Sequence, residues 1–211
     1  SIMKIPIMAT VLNKIDGGQL TYENIYILKD TDKEGGSGPI EFMEAGTKLS
    51  VRNLLEQMGK KSDNTAARVL ADIAGRGDIR KEMKNLEMKG ADFDNNVLSA
   101  YEVAMMWKNL WNKYPTALDS FLKKSIYEER IPQGVPDMVE VVHKVGTGEG
   151  VWTDSGIVMP QIPNPKSQIP DFKPFVLVIL NKDVDIDEAK KTVPELTKML
   201  WDFENSRSTG Q

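Results

Sequence analysis

One apolar run, headed by a serine and a lysine, limits this chain more than any other stretch. Ser1-Ile2-Met3-Lys4 leads into Ile5-Pro6-Ile7-Met8-Ala9-Thr10-Val11-Leu12, and Gly17-Gly18 follows as a stop signal, which predicts one helix over this span. Apolar residues fall on nearly every face of that helix, so it belongs inside the molecule rather than on its surface. Residues three apart share a helical face, which sets Ser1 and Lys4 side by side, one turn apart. The helix start also turns unpaired N–H groups and a partial positive charge toward whatever lies beside Ser1. A lysine at the head of a buried helix is costly to keep protonated, so its pKa should fall into the range of a base. A serine hydroxyl within reach of such an amine is a candidate nucleophile. Alone, the Ser-x-x-Lys spacing is weak, and an ordinary helix start with a solvated lysine is the simpler explanation until partners appear.

Composition narrows the chemistry that could use this pair. The 211 residues suffice for a real core in one globular unit or two interleaved lobes. A net charge of −4 argues against nucleic acid and anionic membrane as general partners, and no apolar run reaches bilayer-spanning length. The chain has no cysteine and one histidine, His143. Disulfides, thiol catalysis, Cys-based metal sites and a His-rich metal site are thereby excluded, and any Ser-His-Asp arrangement would rest on His143 alone. The base of a serine enzyme built on this chain is therefore expected to be something other than histidine. Two readings cover the position of Ser1: a fragment lacking its upstream part, or an N-terminal nucleophile with its α-amine as base, which would leave Lys4 redundant.

The first two-thirds read as mostly helical. Leu20 to Leu28 alternates loosely through Ile25 and Ile27, and Gly35-Gly36-Ser37-Gly38 reads as a loop, because no Gly-Lys-Ser/Thr follows to make a phosphate cradle. Thr47 or Ser50 starts a helix through Leu54, Leu55 and Met58. Lys61-Ser62-Asp63-Asn64 leads into an Ala-rich helix closed by Gly75, and Asp78 to Lys89 reads as another, stopped by Gly90. Ser99 and Glu102 form a capping box for a helix through Trp107 and Trp111, and Pro115 to Ile126 adds one more. From Met138 the period changes to that of strands: one through Val139, Val141 and Val142 into His143-Lys144-Val145-Gly146-Thr147-Gly148, a turn at Gly150, and a second over Ser155 to Met159. A proline-rich connection (Pro160, Pro163, Pro165, Pro170, Pro174) leads to a third, Phe175 to Leu180. A last helix from near Asp185 places Ala189, Val193, Leu196, Leu200 and Phe203 on one face, bent at Pro194, and Ser206 to Gln211 reads as a frayed tail.

Ser1-x-x-Lys4, Ser62-Asp63-Asn64 and Lys144-x-Gly146 form an ordered trio. With it the chain resembles the penicillin-recognising serine enzymes, the class A beta-lactamases and their D-alanyl-D-alanine peptidase relatives, over nearly its whole length. The resemblance implies an α+β fold with a helical lobe over residues 1–136. Antiparallel strands with a C-terminal helix would occupy 137–204, and a tail 205–211, all forming one functional unit. It implies Ser1 as nucleophile and Lys4 as the group that holds or accepts its proton. Ser62 would relay a proton to the leaving nitrogen. Asn64 would bond Lys4 and the substrate amide, and Lys144 would attract the substrate carboxylate and hold Ser62. Ser1 and Thr147 N–H groups, beside Gly146, would form the oxyanion hole. Neither metal nor cofactor is implied. The ligand would be a beta-lactam or a D-Ala-D-Ala peptide, and the compartment extracytoplasmic. Separately, Asp63 is expected to brace its turn. His143 is expected to take no catalytic part, because neighbouring strand residues face opposite ways.

Two departures from the family pattern matter. Val145 stands where a substrate-binding hydroxyl is usual, and Thr147 is the nearest replacement. Between Gly90 and Ser99 the chain is too short for the family's Glu-x-x-Leu-Asn loop, whose glutamate activates the water that releases the acyl-enzyme. Asp92 and Asp94 are the substitutes at hand. Acylation with slow release follows as the expectation, which brings in a D-alanyl-D-alanine carboxypeptidase, a penicillin-binding protein, or a non-turnover penicillin sensor or cell-wall-binding domain as alternatives. A degenerate relative that keeps the fold for structural reasons is the blandest. The family also carries a helix and outer strands before the nucleophile helix. A separate N-terminal segment or a partner is therefore expected to cover the sheet edge and an apolar face.

Overall fold

A computed structural model describes residues 1–160 and 173–208. The architecture is α+β, with seven α-helices, a two-stranded ribbon and a three-stranded antiparallel sheet among these residues. Helix α1, Lys4–Asp16, is the axis of the molecule: its residues from Lys4 to Leu12 are all buried, and Gly17 caps it. Pro6 lies in its first turn, where a missing N–H costs no helical hydrogen bond.

Ile25–Ile27 (β1) pairs with Lys48–Ser50 (β2), and the two isoleucines face outward, 58% and 55% exposed, while Tyr26 turns in to donate to Asp32. Ser50 then caps α2, Val51–Lys60, by accepting from Asn53 N. Helix α3, Asn64–Ala74, begins at Asp63, which caps it through Ala66 N, and ends at Gly75 with φ +84°. Helix α4 covers Arg76–Asn85, shorter than the expected span to Lys89, because the chain leaves helical geometry at Glu87, with φ +66°. The Ser99–Glu102 capping box opens α5, Ala100–Lys113, and α6 follows over Pro115–Leu122.

Strands β3 (Val139–Gly148), β4 (Val151–Pro160) and β5 (Phe175–Ile179) lie in that order, all antiparallel, which leaves β3 on one edge. Val142 and Ile157, paired across β3 and β4, face the large core around α1, α2, α3 and α5. Their neighbours Val141 and Val158 face the other way, into a small core with Ile131, Leu177 and Trp201. The sheet is thus covered by helices of the first lobe on one face and by α7 on the other. Pro163, Pro165 and Pro170 of the proline-rich connection fall outside the described residues.

Helix α7, Ile186–Ser208, corrects one expectation. Ala189 and Val193 are buried as expected, but Leu196, Leu200 and Phe203 are exposed, and the buried stripe continues through Thr197 and Trp201. A polar residue can occupy that core position because the Thr197 hydroxyl donates to Val193 O at 2.9 Å, so its burial leaves no unpaired group. Gly134 lets the backbone before β3 press directly onto it: a Cβ there would lie 2.4 Å from Thr197 Cβ. The helix also runs through Ser206 to Ser208, which read from the sequence as tail.

Candidate active site

Two turns and one strand edge bring the three motifs together. Ser1 precedes α1, and its carbonyl accepts from Lys4 N at 3.1 Å, so the helical turn already exists at the serine. Lys4 Nζ donates to Ser1 Oγ at 3.2 Å, Ser62 Oγ at 3.0 Å, Asn64 Oδ1 at 2.7 Å and the Ser62 carbonyl. An ammonium has three protons for these four acceptors. The carbonyl and amide oxygens can only accept, whereas either hydroxyl can turn and donate to the amine once it is neutral. Burial lowers the Lys4 pKa to about 8, against the opposing pull of Asp63 and Glu34. The neutral amine is then accessible near physiological pH, as a proton acceptor requires.

Ser62 sits in the left-handed region, φ +53°, a conformation that non-glycine residues hold only when their surroundings enforce it. The enforcement comes from both sides. Asp63, fully buried, accepts from Ala66 N at 2.7 Å and Ile40 N at 2.9 Å. Asn64 N donates to Ser37 O at 2.9 Å, and Asn64 Nδ2 to Gly35 O at 2.7 Å. The last bond fixes the amide orientation, leaving Oδ1 for Lys4. The glycine-rich loop is therefore a saddle for the Ser62 turn: a Cβ on Gly38, at φ +95°, would lie 2.1 Å from Asp63 Oδ2. Held in this way, Ser62 Oγ donates to Ser1 Oγ at 3.2 Å.

Lys144, on β3 and 2% exposed, donates to Ser62 Oγ at 2.8 Å from the opposite side. Burial, reinforced by the charge of Lys4, pushes its pKa well below the ordinary lysine value. One hydroxyl thus bridges two depressed amines, an arrangement that can pass a proton without carrying a full charge on either. His143 points the other way. Its Nδ1 lies 2.9 Å from Asp154 Oδ2, and Nε2 3.2 Å from Ser125 Oγ and 3.4 Å from Glu128. Burial works against the charged ring, but Asp154 and Glu128 outweigh it and raise His143 to about 9.

Ser1, Gly146 and Thr147 line a cavity of about 680 Å3 shared with Asn96, Thr153 and Asn181. Val145 is buried away from it, while Thr147 is exposed to it and accepts from Arg130 Nη2 at 2.6 Å. A second cavity, about 600 Å3, joins Ser1, Lys4 and Asn64 to Glu34, Asp72 and Asp94. The two aspartates expected as substitutes for a water-activating glutamate are otherwise occupied. Asp92 accepts from Asp94 N, Asn95 N and Asn95 Nδ2 within its own turn, and Asp94 is paired with Arg76 and Arg80 at 3.2 and 2.6 Å. Among the described residues no group of three or more His, Asp or Glu side chains converges as a metal site, and no helix is long and apolar enough to cross a membrane.

Arg130 lies in a loop without periodicity and so leaves no mark in the sequence pattern, and the role of Asp154 needs the cross-strand register to be known.

Comparison with known proteins bears on the fold and the family. A family profile described as the beta-lactamase enzyme family matches residues 1–203. No curated protein sequence matches. Among solved structures, a beta-lactamase from Sphaerobacter thermophilus DSM 20745 superposes with a TM-score of 0.85 at 20% identity, over 96% of this chain and 81% of that one. A representative class A beta-lactamase from Bacteroides cellulosilyticus DSM 14838 gives 0.78 at 21% identity, over 97% and 83%. A PBP-A mutant, in an acyl-enzyme complex with penicillin G, gives 0.81 at 15% identity, over 95% and 79%.

Proposed function

We propose, from the premise that this chain belongs to the beta-lactamase enzyme family, that it is a serine acyl hydrolase that opens beta-lactams through a covalent acyl-serine adduct. The observation that carries this is the shared hydroxyl: Ser62 Oγ within 3.2 Å of Ser1 Oγ, 3.0 Å of Lys4 Nζ and 2.8 Å of Lys144 Nζ. Ser1 Oγ attacks the lactam carbonyl carbon, forming the ester C–O bond while the C–N bond breaks. The serine proton passes to neutral Lys4 and, through Ser62, a proton reaches the leaving nitrogen. The backbone N–H of Thr147 and, where an amide joins Ser1 to a preceding residue, that of Ser1 are assigned to the developing oxyanion; Ser1, Gly146 and Thr147 line the same cavity. Asn64 holds Lys4 and meets the substrate amide. The PBP-A complex with penicillin G supports the same covalent chemistry on this fold.

Release of the adduct needs a second base beside the ester, and the commitment of Asp92 and Asp94 to their own loop and to arginines favours slow release. That observation supports the second reading, a penicillin-binding protein or D-alanyl-D-alanine carboxypeptidase in an extracytoplasmic compartment. Intact-mass measurement of the full chain with benzylpenicillin tests both. An adduct on Ser1 that persists for hours, absent from Ser1→Ala, fits acylation with slow release. A transient adduct with accumulating penicilloate fits an efficient hydrolase. No adduct at all overturns the acyl-serine reading.

A further inference from the structure

Ser62 owes its left-handed turn to the residue before it as much as to Asp63 and Asn64. Its φ of +53° is set by the plane of the peptide that joins it to Lys61, so the direction of the Lys61 carbonyl decides where the Ser62 side chain goes. Two hydroxyls from distant parts of the chain hold that carbonyl. Ser37 Oγ donates to Lys61 O at 3.1 Å, Tyr127 OH reaches the same oxygen at 3.4 Å, and the two hydroxyl oxygens lie 3.2 Å apart. The carbonyl can only accept, so with the Ser37 proton spent on it, the Tyr127 proton goes to Ser37 Oγ or to the carbonyl itself. Ser37 also accepts from Asn64 N through its backbone, at 2.9 Å, and so grips the Ser62-Asp63 turn at both ends.

Tyr127 comes to this turn from the other wall of the cleft. Its segment follows α6 and is tied to the sheet on either side: Lys123 bridges to Val142 of β3, Ser125 Oγ lies 3.2 Å from His143 Nε2, and Ile131 N donates to Asp154 of β4 at 3.1 Å. Between those ties Ile126 N donates to Lys60 O, at the end of α2, at 3.1 Å, and the next residue presents its phenol to Lys61. The strand that carries Lys144 and the turn that carries Ser62 are thus joined by a second route, besides the Lys144–Ser62 bond itself at 2.8 Å. A relay hydroxyl works only at hydrogen-bond distance from both its donor and its acceptor, so a contact that fixes one wall against the other bears on proton delivery.

We propose that Tyr127 is a positioning residue for proton delivery to the leaving nitrogen: through Ser37 and the Lys61 carbonyl it holds Ser62 Oγ where that hydroxyl can pass a proton on. The proposal rests on the acyl-serine reading, in which Ser62 Oγ gives its proton to the lactam nitrogen as the C–N bond breaks and takes one from a lysine ammonium. Substrates differ in their need for that proton. The lactam nitrogen must gain one to leave, whereas a thiolate departs as an anion. The readout is therefore the ratio of Ser1 acylation rates for benzylpenicillin and for the thioester of phenylacetylglycine with mercaptoacetate, which also carries an amide and a carboxylate. Intact mass follows the first and thiol release the second, on the full chain, with Ser1→Ala as the blank. Tyr127→Phe, which removes a hydroxyl and keeps the ring, lowers the ratio about tenfold, the weight of one hydrogen bond, whatever the absolute rates. Ser37→Ala lowers it as far or further, and answers the same question where Tyr127→Phe does not fold. An unchanged ratio overturns the proposal, whether both rates hold or both fall, because a merely structural contact moves the two together. Absence of any Ser1 adduct in the wild type with either substrate overturns the acyl-serine reading, and this proposal with it.

Discussion

Lys4 combines two demands that normally conflict: it must be buried to lose its proton easily, and it must still be hydrogen-bonded enough to be tolerated there. The first demand is met by α1, whose start is enclosed by the helical core, and the second by Asn64 Oδ1 and the Ser62 carbonyl. Neither of those acceptors can surrender a proton, so they hold the amine in place in both protonation states. The consequence is a pH profile. With a pKa of about 8, the reactive neutral amine increases as pH rises through that value, so the rate of Ser1 acylation should climb from pH 6 to pH 9 and level off above. Each unit below about 8 should cost nearly tenfold, the limit for a single essential deprotonation. Stopped-flow acylation with benzylpenicillin measures it, and a flat profile across this range removes Lys4 as the base. Asn64→Asp should move the midpoint up, because a carboxylate beside the amine favours its charged form.

Elements carry the site, and they were legible to different degrees. Helices with capping residues announced themselves: Ser50, Asp63, Ser99 and Gly75 stand at the ends where the sequence puts them, because caps act through local hydrogen bonds. Lys144 and His143 were separable because strand geometry alternates whatever the tertiary context. What failed to show was set by packing across distance. The inward stripe of α7 goes through Thr197, which no hydrophobic pattern would select. The glycine-rich loop reads as plain punctuation until Asp63 is seen against Gly38. That contact supports a prediction at this scale. Gly38→Ala forces a side chain at φ +95° into space where Asp63 already stands at 2.1 to 2.4 Å, and Asp63 is both the cap of α3 and the brace of Ser62. The variant should lose about 2 kcal/mol or more of unfolding free energy in urea and lose acylation in proportion larger than stability. Gly18→Ala has positive φ, +69°, but nothing within 4 Å; it should cost about 1 kcal/mol and leave acylation unchanged.

For the whole molecule, β3 is where the lobes are joined, and its two faces carry opposite electrostatic signs of strain. On the cleft face Lys144 and Lys4 are buried amines whose pKa values burial lowers, joined through Ser62 to the helical lobe. On the far face His143 is a buried cation held by Asp154 and Glu128. Titration should separate them. The folded-state pKa of His143 is about 9 against 6.5 for a free imidazole, so its ion pair stabilises fully below pH 6.5 and is lost as pH rises through 9. Lys4 has the reverse sign: its folded value is about 8 against 10.5, so the burden of a buried charge is fully present below pH 8 and lifts between there and 10.5. The two windows overlap only near pH 8 to 9, and a difference between wild type and His143→Gln isolates the first. That difference should be on the order of 3 kcal/mol larger at pH 6 than at pH 9.5, read from urea unfolding at each pH. Because the His143 contact joins β3, β4 and the segment after α6, the loss should appear equally by far-ultraviolet circular dichroism and tryptophan fluorescence, in one transition. A pH-independent difference would mean that the ring is neutral in the folded state and that Asp154 is held by its backbone donors, Ile131 N and Ser155 N, alone.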